Sequence, residues 1–126
     1  TLPYASQSVD TLSGGIRQRV FLAMILAQNC DTIVLDEPST YLDLSGQRKL
    51  LSLISSLRDS GKTVILVLHD LAQAVRTADW LVVMQDRKIA AADSPENCLQ
   101  QHIIQDVFDT ECTVFEKDRQ KYYVFS

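Results

Sequence analysis

The sequence has little of what would point to a membrane span or a disulfide framework. Its 126 residues include only three cysteines, and the longest apolar runs, at 20–27 and 64–68, are too short to cross a bilayer. Cys30, Cys98 and Cys112 are odd in number and show no metal-ligand spacing. We therefore expect reduced, buried thiols and a cytosolic setting.

An excess of positive charge is also missing. The chain carries 12 Lys and Arg against 16 Asp and Glu, a net charge of -4, and has no basic stripe. Electrostatics therefore does not suggest nucleic acid as a partner. The apolar share of 46% and the length fit one globular core. Because the chain begins at Thr1 rather than methionine, we interpret it as a fragment or a processed product.

Apolar periodicity predicts an α/β fold. Helices are predicted at 16–28, 45–59, 70–78 and 95–109, after a loop at 1–12. Strands are predicted at 32–35, 63–68, 80–85 and 89–93, and a hairpin at 112–116 and 121–125 closes the chain. The β-branched and leucine run in 63–68 is typical of a strand covered on both faces. Helices alternating with buried strands through residue 85 predict a largely parallel sheet.

The stretch TIVLDEP at 32–38 places two carboxylates at the end of an apolar strand. Burying carboxylates is costly unless a cation or a hydrogen-bond partner accepts them. At the carboxyl end of a parallel sheet, Asp36 could hold Mg²⁺ and Glu37 could orient or deprotonate an attacking water. The alternative is a strand that ends in solvated acids.

Two stretches resemble anion-binding sites, and the sequence context excludes one of them. Ser60-Gly61-Lys62-Thr63 imitates the end of a phosphate loop, but a strand follows it, and position 56 is serine rather than the leading glycine. We interpret Gly61 as a helix C-cap. The stretch at 12–15, Leu-Ser-Gly-Gly, opens a helix whose free amides could meet a phosphate, unless it is a plain N-cap.

Four motifs in order carry a family resemblance: LSGGIRQRV (12–20), IVLDEP (33–38), STYLD (39–43) and the lone histidine of VLHD (67–70). Together they resemble the signature motif, Walker B strand, D-loop and switch histidine of the ATP-binding-cassette (ABC) ATPases. The resemblance covers nearly the whole chain. It implies a P-loop NTPase-like α/β fold, with a mostly parallel sheet flanked by helices and a small C-terminal hairpin.

The resemblance implies a role for each matched residue. Asp36 would serve Mg²⁺, Glu37 would be the general base, and His69 would contact the γ-phosphate of ATP and the dimer partner. Taken alone, His69 is more typical of a satisfied core histidine. Asp43 would organise the dimer interface near Glu37, although taken alone it is typical of an N-cap for the following helix.

The signature motif would act on the second protomer of a head-to-tail dimer. Leu12, Ser13, Gly14 and Gly15 would form the helix start that grips the γ-phosphate of ATP bound to that protomer. Ile16 departs from the family, which usually has glutamine there. With Ser13 as N-cap, isoleucine loses a capping-box bond worth about 1 kcal/mol or less.

Two family motifs are absent. The sequence contains neither the phosphate loop nor the glutamine-bearing Q-loop that family members place before the signature. Residues 1–126 therefore resemble the C-terminal half of an ABC ATPase domain, with the N-terminal half as a missing partner. We expect the chain to be inactive alone.

The D-loop narrows the subfamily. Tyr41 and the tail at 103–125 resemble the ATPases of iron–siderophore, haem and cobalamin importers. The resemblance implies an ATP-hydrolysing subunit bound to transmembrane permease subunits, on the cytoplasmic face of the cell membrane. From the charge balance we expect no nucleic-acid partner. The alternatives are a non-catalytic assembly fragment and a DNA-repair or chromosome-maintenance ATPase, against which the acidic balance argues.

Overall fold

The computed structural model describes residues 14–126, which divide after Val67 into two compact units. The first unit contains α1 (Gly14–Ala27), β1 (Thr32–Asp36), α2 (Leu44–Asp59) and β2 (Thr63–Val67). The second contains α3 (Leu71–Thr77), β3 (Leu81–Gln85), β4 (Lys88–Asp93), α4 (Pro95–Gln100), α5 (Ile103–Phe108), β5 (Cys112–Lys117) and β6 (Gln120–Phe125). The predicted loop at 1–12 lies outside the described residues. No helix in 14–126 is long and apolar enough to cross a membrane.

The first unit is built on a parallel strand pair. β1 and β2 run side by side from Thr32 opposite Thr63 to Asp36 opposite Val67, with α2 as the crossover between them. The core of this unit consists of buried residues from β1 and α2: Ile33, Leu35, Leu50 and Ile54. The α/β class, the parallel pairing and the bounds of α2 agree with the sequence prediction.

One face of this strand pair remains exposed. Leu22, Ile25 and Leu26 of α1 and Leu57 of α2 pack against the same core, which lies on the face of Ile33 and Leu35. On the opposite face Val34 is 62% exposed and Ile65 48% exposed. The expectation that the strand at 63–68 is covered on both faces is therefore wrong for the described residues, because both helices of this unit cover one face.

The stretch Ser60-Gly61-Lys62 ends α2 as a helix cap. Lys62 N donates to Leu57 O at 3.1 Å and Gly61 N donates to Arg58 O at 3.0 Å, the bonding pattern of a Schellman cap. Gly61 takes the left-handed conformation, with φ +93°. The ammonium of Lys62 donates to Asn29 Oδ1 and to Cys30 O. The Lys62 side chain thus connects the end of α2 to the turn before β1. This structural role agrees with the conclusion that the stretch is not a phosphate loop.

Gly61→Ala is expected to lower the free energy of unfolding by about 1 kcal/mol, because an alanine Cβ disfavours left-handed backbone. No atom lies within 4 Å of the added Cβ, so the cost is conformational rather than steric. Urea unfolding of the chain measures it. Gly61→Asn is the matched control, because asparagine tolerates this conformation better. Equal losses in the two variants would contradict this explanation.

The second unit is built on antiparallel hairpins. β3 pairs with β4 and β5 pairs with β6, and each pair is joined by a two-residue Asp-Arg turn with positive φ at both residues. Two-residue connections allow only antiparallel neighbours. The expected parallel sheet through residue 85 is therefore confined to β1 and β2 in the described residues. The last predicted loop, 117–120, is shorter in the structure, where only 118–119 form the turn.

The predicted helix at 95–109 is two helices. His102 takes the left-handed conformation, with φ +57°, and separates α4 from α5. Pro95 occupies the first turn of α4, as predicted, and Ser94 Oγ caps it by accepting from Asn97 N. The break lets Cys98 of α4 and Ile104 of α5 share one buried cluster with Val75 and Val83. Packing of two apolar faces explains a bend that helical periodicity did not predict.

The three cysteines lie in different environments, and all are free thiols. Cys98 is fully buried, and burial together with the nearby Asp93 carboxylate raises the pKa of its thiol. Cys112 is partly buried, and burial raises its thiol pKa as well. Cys30 is exposed, so the expectation of three buried thiols is wrong for that residue, which lies in the turn between α1 and β1.

Candidate functional site

An exposed carboxylate stands at the carboxyl end of the parallel strand pair. Because alternate side chains of a strand point to opposite faces, burial of Ile33 and Leu35 turns Val34 and Asp36 outward. Asp36 is the last residue of β1, opposite Val67 at the end of β2. It thus lies at the sheet edge where α/β proteins bind their ligands.

Glu37 is held beside Asp36 in a turn that opens in the left-handed conformation. Its φ is +52°, a region that non-glycine residues rarely occupy and that costs about 1–3 kcal/mol when imposed. Its amide donates to Val67 O at 2.9 Å, which extends the strand pairing by one bond, and Pro38 behind it is fully buried. Glu37 is half-buried with Oε1 fully buried, whereas Asp36 is exposed. The two carboxylates therefore occupy different environments.

Thr40 closes the same turn. Its amide donates to Glu37 O at 3.3 Å, and its hydroxyl lies 2.9 Å from Glu37 O and 3.4 Å from Glu37 Oε2. The sequence prediction assigned Thr40 to the D-loop but gave it no role. A hydroxyl residue three positions after a carboxylate, at the end of a strand, is the available signal, because such hydroxyls bond nearby backbone in turns.

Asp43 caps α2. Its Oδ1 accepts a hydrogen bond of 2.7 Å from Gly46 N, and its carbonyl accepts from Gln47 N. Gly46 is buried, and a Cβ there would meet Asp43 Oδ1 at 3.1 Å. The geometry agrees with the N-cap alternative. The interface role that the family resemblance implies for Asp43 stays a prediction.

Asp43→Ala is expected to lower the free energy of unfolding by about 1 kcal/mol, because the amide of Gly46 loses its acceptor. Asp43→Asn is expected to keep nearly all the stability, since asparagine caps helices equally well. Urea unfolding monitored by circular dichroism compares them. An Asn variant as unstable as the Ala variant would show that the charge of Asp43, rather than capping, stabilises the helix.

His69 belongs to the second unit, where it is exposed in the segment that leads into α3. Its neighbour Asp70 caps α3 by accepting from Gln73 N at 3.1 Å. The alternative of a buried core histidine is therefore wrong. Accessibility agrees with a contact to a ligand or partner, which stays a prediction.

The predicted signature motif is only partly described. Leu12 and Ser13 lie outside the described residues. Gly14 and Gly15 form the first two positions of the 14-residue α1, and Ile16 is the third. The predicted cap at Ser13 stays a prediction. The contact of these residues with a phosphate stays a prediction.

The residues available for a metal ion suit one specific mode of binding. Within 14–126, no group of three or more His, Cys, Asp and Glu side chains gathers as an all-protein metal site. Mg²⁺ often takes only one or two protein carboxylates and completes its shell with phosphate oxygens and water. The single exposed carboxylate of Asp36 fits this mode.

The chain resembles known proteins of one class. A family model described as ABC transporter matches residues 3–40. Curated relatives include the petrobactin import ATP-binding protein FpuD of Bacillus anthracis, 45% identical over 88% of this chain and 41% of FpuD. The ferric enterobactin transport ATP-binding protein FepC of Escherichia coli is 45% identical over 89% of this chain and 42% of FepC.

Solved structures agree in fold. A protein described as a metal-chelate type ABC transporter, in an inward-facing conformation, superposes with TM-score 0.80 at 26% identity, over 97% of this chain and 49% of that one. A dimeric ATP-binding cassette, MJ0796 with ADP and Pi, gives TM-score 0.69 at 30% identity, over 75% of this chain and 41% of that one.

Over most of its own length the chain thus matches the ATPase domains of ABC transporters, as the motifs indicated. Import and transport ATP-binding proteins are among its relatives. The chain spans about two fifths of the length of these two curated relatives.

Proposed function

We propose that the chain contributes half of a composite nucleotide site to an ATP-hydrolysing subunit of an ABC importer. One observation carries the proposal: Asp36 and Glu37 stand together at the carboxyl end of the parallel strand pair, one exposed and the other held in a left-handed turn. The turn fixes Glu37 at an energetic cost, and such costs cluster at functional sites.

The two carboxylates divide the chemistry. Asp36 would hold Mg²⁺, which, when bound, neutralises charge that develops on the phosphate oxygens. A carboxylate oxygen of Glu37 takes a proton from water as the water oxygen attacks the γ-phosphorus of ATP. The bond from that phosphorus to the bridging oxygen breaks, ADP leaves with the bond's electron pair, and the proton passes from Glu37 to the phosphate product.

The remaining family positions act on the same nucleotide across a head-to-tail dimer. Gly14 and Gly15 open α1, where the helix dipole favours an anion, and Leu12 and Ser13 precede them in the sequence. We assign these four to the γ-phosphate bound by the partner protomer. His69 contacts the γ-phosphate of its own site, and Asp43 shapes the dimer interface. A phosphate loop, absent from this sequence, comes from the N-terminal half of the domain.

The transported cargo belongs to the metal-chelate class. This part of the proposal is supported by relatives named for ferric enterobactin transport and petrobactin import, and by a structure described as a metal-chelate transporter. The subunit would work with transmembrane permeases on the cytoplasmic face of the membrane, and ATP binding would close the dimer and move them.

Replacing the matched segment of FepC by this chain tests the cargo class. In an Escherichia coli strain lacking FepC, the chimera is expected to restore growth on ferric enterobactin as the iron source. Glu37→Gln in the chimera should abolish growth, and Glu111→Gln, at an exposed carboxylate of the second unit, should not. A chimera that assembles with the permease but leaves growth independent of Glu37 would contradict the proposal.

A second candidate function is a non-catalytic assembly fragment. The observation that favours it is the absence of any G-x-x-x-x-G-K-[ST] loop from the sequence, since that loop supplies most of the grip on ATP. Both candidates hold if the chain alone is inactive and catalyses only when joined to a phosphate-loop segment. ATP hydrolysis by the chain alone would instead indicate a self-sufficient enzyme.

A further inference from the structure

We propose that Thr40 is a positioning residue that fixes the carboxylate of Glu37 for attack by water. The inference rests on the proposed function, because Glu37 must be the general base for its position to matter. It concerns a residue whose hydroxyl touches both the backbone and the side chain of that base.

The turn at 37–40 holds Glu37 at three points. Glu37 N is bonded to Val67 O at the end of β2, and Glu37 O accepts from both the amide and the hydroxyl of Thr40. These bonds keep the backbone at φ +52°, which an unconstrained glutamate would leave. The backbone of Glu37 is therefore fixed, and the group that remains to be positioned is its carboxylate.

The Thr40 hydroxyl can also restrain that side chain. A hydroxyl has one hydrogen, and its 2.9 Å separation from Glu37 O is the better bond, since O–H···O bonds span 2.5–3.0 Å. Glu37 Oε2 lies only 3.4 Å from the same oxygen. A small rotation of the glutamate side chain brings it into bonding range. The hydroxyl then donates to the carboxylate, and charge-assisted bonds are the stronger ones.

Threonine suits this role better than a flexible residue. Its β-branched side chain is stiff about χ1, so the hydroxyl keeps its position beside the Glu37 carboxylate. A general base must lie within hydrogen-bond reach of the water it deprotonates, and a misplacement of about 1 Å can cost about 100-fold in rate. Thr40 thus limits the range of orientations that the Glu37 carboxylate adopts relative to the water.

Kinetics of the FepC chimera test the inference. Thr40→Val removes the hydroxyl at nearly constant shape and is expected to lower the kcat of ATP hydrolysis about tenfold, with KM for ATP changed less than about twofold. Thr40→Ser restores the hydroxyl and should recover most of the loss. Thr113→Val, at an exposed threonine of β5, is the matched control and should change neither constant.

The outcomes separate the two proposals. If Glu37→Gln lowers kcat sharply and Thr40→Val does not, the Thr40 inference is wrong and the proposed function stands. If Glu37→Gln leaves kcat unchanged, the proposed function fails. Combining Glu37→Gln with Thr40→Val should lower kcat no further than Glu37→Gln alone, because Thr40 acts through Glu37.

Carboxyl-carbon NMR on the 126-residue chain gives a readout that needs no turnover. The Cδ resonance of Glu37 is expected to move in Thr40→Val and to return in Thr40→Ser, because the hydroxyl contacts its oxygen directly. Thr40→Ala replaces the valine variant if valine unfolds the chain. A Glu37 resonance indifferent to the hydroxyl would overturn the inference whatever the kinetics show.

Discussion

Replacing Glu37 by glutamine in the FepC chimera is expected to lower the kcat of ATP hydrolysis by roughly 100-fold or more. A positioned general base contributes a factor of this size, and glutamine keeps the shape of the side chain but cannot accept the proton. The left-handed backbone of Glu37 and its bond to Val67 O do not depend on the carboxylate. The substitution therefore removes the chemistry and leaves the turn.

The neighbouring carboxylate provides the contrast. Asp36→Asn should raise the Mg²⁺ concentration needed for half-maximal turnover, because Asp36 is the exposed carboxylate at the strand end. Glu37→Gln should leave that concentration and the affinity for ATP nearly unchanged. Steady-state hydrolysis measured across a magnesium titration separates the two effects. If the Glu37→Gln variant keeps more than a tenth of the parent kcat, Glu37 is not the base.

Truncating Leu50 to alanine is expected to lower the free energy of unfolding of the chain by about 2–5 kcal/mol. Leu50 is 4% exposed and lies in the core that α2 shares with β1. The lost methyl groups forfeit burial and leave a cavity beneath the strand that carries Asp36. This core fixes the face on which Asp36 emerges, so stability and site geometry depend on the same contacts.

The control for Leu50 lies on the same helix. Leu44 opens α2 and is 72% exposed, so Leu44→Ala should change the free energy of unfolding by less than about 0.5 kcal/mol. Urea unfolding followed by far-ultraviolet circular dichroism measures both variants. Comparable losses at the two positions would show that the core is not packed as described.

Local pattern was enough to predict the elements that position the site. Apolar spacing predicted a helix at 45–59, and the structure has α2 at Leu44–Asp59, where the apolar face meets β1. The strand ending in Asp36 and Glu37 was predicted because a run of β-formers stopped at two acids. These features are local, so periodicity and end signals determine them.

Contacts between elements could not be predicted in the same way. The apolar run at 63–68 does not reveal whether helices cover one face of the strand or both. In the first unit the helices cover one face. The left-handed backbone of His102, which splits the predicted helix at 95–109, follows from packing of Cys98 and Ile104 into one cluster. A hydroxyl three positions after Glu37 signals a turn bond, but which atoms of Glu37 it reaches depends on the turn conformation.

The most direct test compares ATP turnover by the 126-residue chain alone with turnover by the same residues inside the FepC chimera. If Asp36 and Glu37 act only together with a phosphate loop that this sequence does not contain, the isolated chain should hydrolyse ATP no faster than buffer alone. The chimera should turn over ATP in a manner that Glu37→Gln abolishes. Hydrolysis by the isolated chain that disappears with Glu37→Gln would contradict the composite site.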